Sequence, residues 1–326
     1  MSGGARLEII DRLSRRYAMF AEETRGQSAS YERLARAIAA TPEVLGFVAS
    51  LPPERRQPNL FLAAIRRLHG VPGSIEELAE IVGDNGDGIA ALMLSRTTQT
   101  NEPARCAALL PLLARLPQPL ALLEVGASAG LCLLPDRYGY DCGAARIDPA
   151  DAAAPVFRCA ISGAVPLPRA HPSVVWRMGL DLNPLDLHSE DDMAWLETLI
   201  WPGQDKRLHR LRAAIDIARR DPPPIIHGDL LTELEPLITT APKDATLVVF
   251  HTAVLTYVRS AKDRERFAAM LRDANAVWIS NEAPEVFPSL APTGGDARGR
   301  FLTMQDGRPV AWTGPHGQSL DWISAP

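Results

Sequence analysis

Residues 122–131 read Leu-Leu-Glu-Val-Gly-Ala-Ser-Ala-Gly-Leu, an apolar strand pattern that runs into a turn of small residues. Glu124 brings a carboxylate and Ser128 a hydroxyl, while Gly126 and Gly130 let the backbone bend sharply and come close to a ligand. A strand that enters a helix through such a turn presents N–H groups to whatever sits above it, so nucleotide binding is the chemistry expected. Three later apolar runs also end in polar groups: Asp181, Asp229 and His251. The two oxygens of Asp181 suit a pair of ribose hydroxyls. His251 has the intrinsic basicity of a general base near neutral pH. Glu282, after Ile279-Ser280-Asn281, is expected to open onto the same side of the sheet, and Tyr257 to orient a substrate. Arg96, Gln99, Asn101 and Glu102 belong to a run dense in hydrogen-bonding groups, residues 96–102, placed where it could close over a ligand.

The elements that must hold these residues divide at about residue 117. Residues 1–117 read as helices only: Leu7, Ile10, Leu13, Tyr17 and Phe20 keep one helical face, and Tyr31, Leu34 and Ile38 continue after Ser30 as a cap. Thr41-Pro42 starts a helix, and Ser74 with Glu77 fits a capping box. The run Asp84-Asn85-Gly86-Asp87-Gly88 is expected to end that helix as a turn. As a calcium loop it would place Ser95 where a bidentate acid belongs. A further helix is expected over 103–116. From residue 118 to 326 short apolar runs alternate with helical stretches, the pattern of a mainly parallel sheet covered by helices. Strands are expected over 120–125, 173–180, 224–227, 246–251 and 276–280. Helices are expected over 191–200, 205–219 and 263–274. Antiparallel strands should follow near the C-terminus, joined by Asp306-Gly307.

The formal charge of the 326 residues is -5, which argues against a broad nucleic-acid footprint. Arg207, Arg210, Arg212, Arg219 and Arg220 alternate with Leu208, Leu211, Ile215 and Ala218 at helical spacing, which is one solvated helix face. No apolar run reaches membrane-spanning length, and residues 1–15 have no signal-peptide pattern, so a cytoplasmic protein is expected. Cys106, Cys132, Cys142 and Cys159 lack metal-ligand spacing, so no metal is expected.

The turn resembles the first motif of class I S-adenosylmethionine-dependent methyltransferases, an acid followed by G-x-G-x-G, with Ser128 in place of the middle glycine. Residues 174–181 resemble the second motif, Ile225-Ile226-His227-Gly228-Asp229 the third, and Val248-Val249-Phe250-His251-Thr252 the fourth. The resemblance implies a Rossmann-like α/β domain with a mostly parallel seven-stranded sheet and an antiparallel C-terminal hairpin. It implies S-adenosylmethionine held by Glu124, Gly126, Ser128, Gly130, Asp181 and Asp229. Asp181, not Asp148, is expected at the ribose. His251 and Glu282 would face the acceptor, expected to be a small molecule, with no nucleic-acid or membrane partner. The whole chain resembles an uncharacterised bacterial family with a methyltransferase-like core, through residues 96–102, 123–131, 136–138, 179–186, 201–202, 228–229 and 250–251.

Two alternatives remain open. Gly126-Ala127-Ser128-Ala129-Gly130 also resembles the nucleophile elbow of α/β-hydrolases, which implies Ser128 as nucleophile with Asp181 or Asp229 and His251 or His316. Against this, residues before 120 read as helix where that fold needs strands. The third reading is a methyltransferase-like fold that binds a nucleotide or partner without turnover.

Overall fold

Hydrophobic spacing and caps account for most of the elements seen in the computed structural model, which describes residues 3–99, 101–290, 297 and 299–323. Five helices come first: α1 (Gly3–Thr24), α2 (Ala29–Ala39), α3 (Pro42–Ser50), α4 (Pro58–His69) and α5 (Ile75–Ser95). There follow α6 (Cys106–Leu113), β1 (Leu120–Val125), β2 (Gly139–Asp141), β3 (Arg146–Ile147), β4 (Val156–Arg158), β5 (Ala160–Ser162) and β6 (Val174–Asp181). Next are α7 (Glu190–Thr198), α8 (Asp205–Arg220), β7 (Ile225–His227), α9 (Leu230–Ile238) and β8 (Thr246–Thr252). The chain continues through α10 (Ala261–Asp273), β9 (Val277–Glu282), β10 (Phe301–Gln305), β11 (Arg308–Thr313) and β12 (Ser319–Trp322). It forms two compact units, residues 1–100 with 191–209, and residues 101–190 with 210–326.

In the helical unit, Ser28 rather than Ser30 caps α2, accepting from Tyr31 N at 3.4 Å. Ser74 accepts from Glu77 N at 3.2 Å, and Glu77 reaches back to Gly73 N at 2.6 Å, so the start of α5 is held from both sides. The turn expected at 84–88 is instead a kink: α5 continues through it, with Asn85 alone leaving helical geometry at φ -126° and ψ 18°. Leu78 before the kink and Ile89 and Met93 after it are buried, so packing on both sides holds the two halves in one rod. Leu7 lies outside the apolar face expected of α1, 69 % exposed, whereas Leu13, Tyr17 and Phe20 are buried. The core of this unit gathers Tyr17, Tyr31 and Phe61 with Trp195, Leu199 and Trp201, which arrive from the crossover between β6 and β7. Trp195 Nε1 donates to Thr97 O and Trp201 Nε1 to Asn59 Oδ1, both at 2.9 Å, so each buried indole N–H is satisfied.

The second unit is built on a nine-stranded sheet of order β5-β12-β11-β10-β9-β8-β1-β6-β7. Strands β9, β8, β1, β6 and β7 run parallel, and β10, β11 and β12 continue as an antiparallel meander. All six residues of β1 are buried, as both faces of a central parallel strand are covered. On one face Leu123, Val125, Val249 and Trp278 pack with Leu234 of α9 and Phe267 of α10, and α6 is buried along its whole length. The sheet has nine strands instead of the expected seven, because the tail supplies three strands and β5 joins β12 at the far edge. β5 leaves the long β1–β6 connection, whose remainder forms a separate sheet of order β3-β2-β4. Those strands are two or three residues long, too short to show a period. Among the described residues no helix is long and apolar enough to cross a membrane.

A further difference lies beside the glycine turn. The helix expected after the glycine turn is absent, and only a 3-10 turn at Leu131–Leu133 follows. Pro135 supplies the reason: in a helix begun at Leu131 it could not donate to the Leu131 carbonyl and its ring would clash there.

Candidate functional site

The chain runs from β1 to β6 and β7 on one side of the sheet, then returns to β8 and β9 on the other. The strand order thus reverses between β1 and β8, and a crevice outside the carboxyl ends of those strands is where open α/β sheets take ligands. The two loops that leave these strands are both strained. Ser128, after β1, has φ 54°, and Ala253, after β8, has φ 61°. The remaining non-glycine residue with positive φ among those described, Asp306, belongs to the Asp-Gly hairpin, where that conformation is expected. Left-handed conformation in residues with a side chain costs of order 1–3 kcal/mol and persists only where the surroundings over-determine it.

The surroundings do so for the turn at 126–130. Gly126 N and Ala127 N donate to Leu180 O at 2.8 and 3.2 Å, and Ser128 N donates to Asp181 Oδ2 at 2.7 Å. Asn101 holds the far side: its Nδ2 donates to Ala127 O at 3.1 Å and its Oδ1 accepts from Leu131 N at 2.9 Å. A Cβ on Gly126, where φ is +77°, would strike the Val254 side chain, and one on Gly130 would lie 2.6 Å from Pro223 Cγ. The two glycines are therefore required by contact with the protein itself.

Glu282 holds the second loop. Its Oε1 accepts from Val254 N at 2.8 Å, Leu255 N at 3.0 Å and the Nδ1–H of His251 at 2.7 Å. His251 is 0 % exposed, and its Nε2 accepts from the indole N–H of Trp278 at 3.0 Å. The lone pair a general base would use is thus committed within the protein. Strand alternation explains the group: His251 is paired with Ser280, so Trp278 and Glu282, two residues either side of Ser280, share its face.

Buried polar atoms without a partner mark the same strand ends: Glu124 Oε2, Ser128 Oγ, Ser280 Oγ, Asn281 Nδ2 and Glu282 Oε2. Burial, followed by the neighbouring Cys132 and Asp181, pushes the Glu124 carboxyl well above the usual range, and Arg105 opposes the shift. Arg105, absent from the sequence expectations, is 5 % exposed and donates to Pro315 O at 2.8 Å and Thr252 O at 2.7 Å. An arginine in an otherwise apolar run, Cys106 to Leu113 following directly, was the available signal.

Over residues 14–322 the sequence matches a family described as an uncharacterized protein conserved in bacteria, DUF2332. The chain belongs to this family. No curated protein and no solved structure matches it. The family match spans both compact units, so the helical unit and the sheet are parts of one family architecture.

Within this family member, Glu124, Gly126, Ser128, Gly130 and Asp181 are brought together at the end of β1, with His251 and Glu282 joined at the ends of β8 and β9. Asp148 lies away from the main sheet, beside β3, and pairs with Arg146 at 2.7 Å. Asp229 is exposed and caps α9, accepting from Leu231 N at 2.7 Å. Of the four substrate candidates before β1, Asn101 is a brace of the turn, and buried Glu102 accepts from Ala104 N at 3.3 Å, capping the 3-10 turn at Pro103–Arg105. Arg96 and Gln99 belong to the helical unit, where Arg96 is paired with Asp191 and, at 2.6 Å, with Asp192. Thr100 of the same run lies outside the described residues. Tyr257, in the loop after β8, is 59 % exposed.

Proposed function

We propose that the sheet unit is the cofactor-binding part of a cytoplasmic S-adenosylmethionine-dependent methyltransferase that acts on a small-molecule acceptor. One observation carries this reading: Asp181, at the end of the strand beside β1, is hydrogen-bonded to the glycine turn through Ser128 N. The acid that resembles the second motif and the turn that resembles the first thus meet at the carboxyl ends of β6 and β1, next to the place where the strand order reverses. Unpartnered, buried Ser128 Oγ and Glu124 Oε2 fit a site that still has hydrogen bonds to make.

When bound, S-adenosylmethionine supplies an electrophilic methyl group on a sulfonium. The chain's own task is to bind and align, which accounts for much of such catalysis. Asp181 would take the ribose hydroxyls, while Asn101 keeps the turn in place from the opposite side. Glu282 is a positioning residue through Oε1, and its uncommitted Oε2 is the better proton acceptor of the two residues expected to face the acceptor. His251 supports Glu282 and does not reach a substrate through either nitrogen in this arrangement.

Isothermal titration of the full chain with S-adenosylmethionine and S-adenosylhomocysteine tests the reading. Asp181→Asn keeps an acceptor for Ser128 N but removes charge from the ribose position, and a loss of affinity of about tenfold or more is expected for one charged hydrogen bond. The hydrolase reading has one feature in its favour, the left-handed backbone of Ser128 within G-x-S-x-G. It lacks a base, since Ser128 Oγ has no hydrogen-bond partner. Hydrolysis of a p-nitrophenyl ester that disappears in Ser128→Ala would restore it.

A further inference from the structure

Ser128 carries two separate costs. Its φ of 54° lies in a region that glycine enters freely and serine does not. Its hydroxyl is buried without a hydrogen bond, on a residue 3 % exposed. Glycine at this position would remove both, and no contact within the described residues accounts for the hydroxyl.

The rest of the turn limits what that hydroxyl can meet. A phosphate-binding turn must offer free amides, commonly at the first turn of a helix. Here the amides of Gly126, Ala127, Ser128, Gly130 and Leu131 donate within the protein, to Leu180 O, Leu180 O, Asp181 Oδ2, Ala127 O and Asn101 Oδ1. This leaves Ala129 N as the single amide of the turn with no acceptor among the described residues, too few to cradle a phosphate. No helix follows, only three residues of 3-10 turn. The carboxylate of Asp181 sits directly on the turn and would repel a phosphate. Arg105 directs its guanidinium to the carbonyls of Pro315 and Thr252.

We propose that the Ser128 hydroxyl is the selecting group of this turn, accepting a hydrogen bond from a hydroxyl or amine of an unphosphorylated nucleoside-type ligand, and that the turn rejects phosphorylated nucleotides. This rests on the nucleoside-cofactor reading above and specifies its ligand class. Serine in a strained conformation is the cost of that selection, so stability and affinity oppose each other at one residue.

The test uses the full chain and its Ser128→Gly and Ser128→Ala variants, titrated calorimetrically with adenosine, S-adenosylhomocysteine, AMP and ATP and melted without ligand. Wild type is expected to bind adenosine and S-adenosylhomocysteine at least tenfold more tightly than AMP and ATP. Both variants should lose at least tenfold in affinity for the first two. Ser128→Gly should melt about 2–4 °C above wild type, the size expected for relief of one strained residue. AMP or ATP binding as tightly as adenosine overturns the proposal, as do variants that bind like wild type. A glycine variant that melts below wild type overturns the strain argument. Binding of adenosine that depends on Ser128, without binding of S-adenosylhomocysteine, keeps the selecting role and removes the methyltransferase reading. A folded wild type that binds none of the four overturns both.

Discussion

Glu124 is a carboxyl held far from its ordinary behaviour. Burial raises its pKa well above 4.5, so the folded chain keeps a proton that the unfolded chain releases. Between those two pKa values the native state binds more protons than the unfolded state. This contribution to stability is therefore full below pH about 4.5 and falls by about 1.4 kcal/mol per pH unit as pH rises toward the folded pKa. Glu124→Gln removes the titration. Urea midpoints measured from pH 5 to 8 should fall less steeply in the variant than in wild type, and parallel curves would show that Glu124 is ionised when folded. His251 shows the opposite lesson, because the sequence marked it for its basicity and the fold uses it for its two hydrogen bonds. His251→Ala leaves Trp278 Nε1 without its acceptor and Glu282 Oε1 without one of its three donors, and opens a cavity beside Phe267. A destabilisation of about 2–5 kcal/mol is expected from urea unfolding. A variant with wild-type stability would remove the structural role assigned here.

At the scale of elements, what the sequence revealed depended on whether a segment carried its own period or borrowed its form from distant neighbours. β1 and β8 were legible because their buried faces make continuous apolar runs, and α8 because its buried Leu211, Ile215 and Ala218 recur at helical spacing. The Asp306-Gly307 turn was legible because both residues need positive φ, found at 51° and 74°. β2 to β5 were not, since short pairings are set by partners far away in sequence, such as β12 for β5. The missing helix after the turn could have been read from Pro135. In the site, the pattern of strand ends marks Asp181 and the turn, which the fold joins by a hydrogen bond, whereas the bonds of Asn101 to the turn are not legible, because a polar side chain does not announce which backbone it will meet. Asn101→Ala strands the Leu131 amide and leaves the Ala127 carbonyl with Gly130 N alone at a buried turn. It should cost about 1–3 kcal/mol in urea unfolding. An unchanged midpoint would return Asn101 to the list of ligand contacts.

For the whole molecule, the two compact units share one chain in an interleaved way. The crossover between β6 and β7 leaves the sheet unit to place Trp195, Leu199 and Trp201 in the helical core, which no division of the sequence into two halves near residue 117 would suggest. Trp195→Ala should therefore destabilise the helical unit by about 3–5 kcal/mol, read as earlier loss of helical circular dichroism on heating. Unchanged melting would show that the helical core stands without the crossover. At the carboxyl ends of β1 and β6, the turn and Asp181 are proposed to build a nucleoside-cofactor site. Calorimetric titration of the wild-type chain with S-adenosylhomocysteine tests it most directly. Saturable one-site binding in the micromolar range is expected, weakened at least tenfold in Asp181→Asn. A folded wild type that gives no heat of binding, or an Asp181→Asn variant that binds as well as wild type, would contradict it.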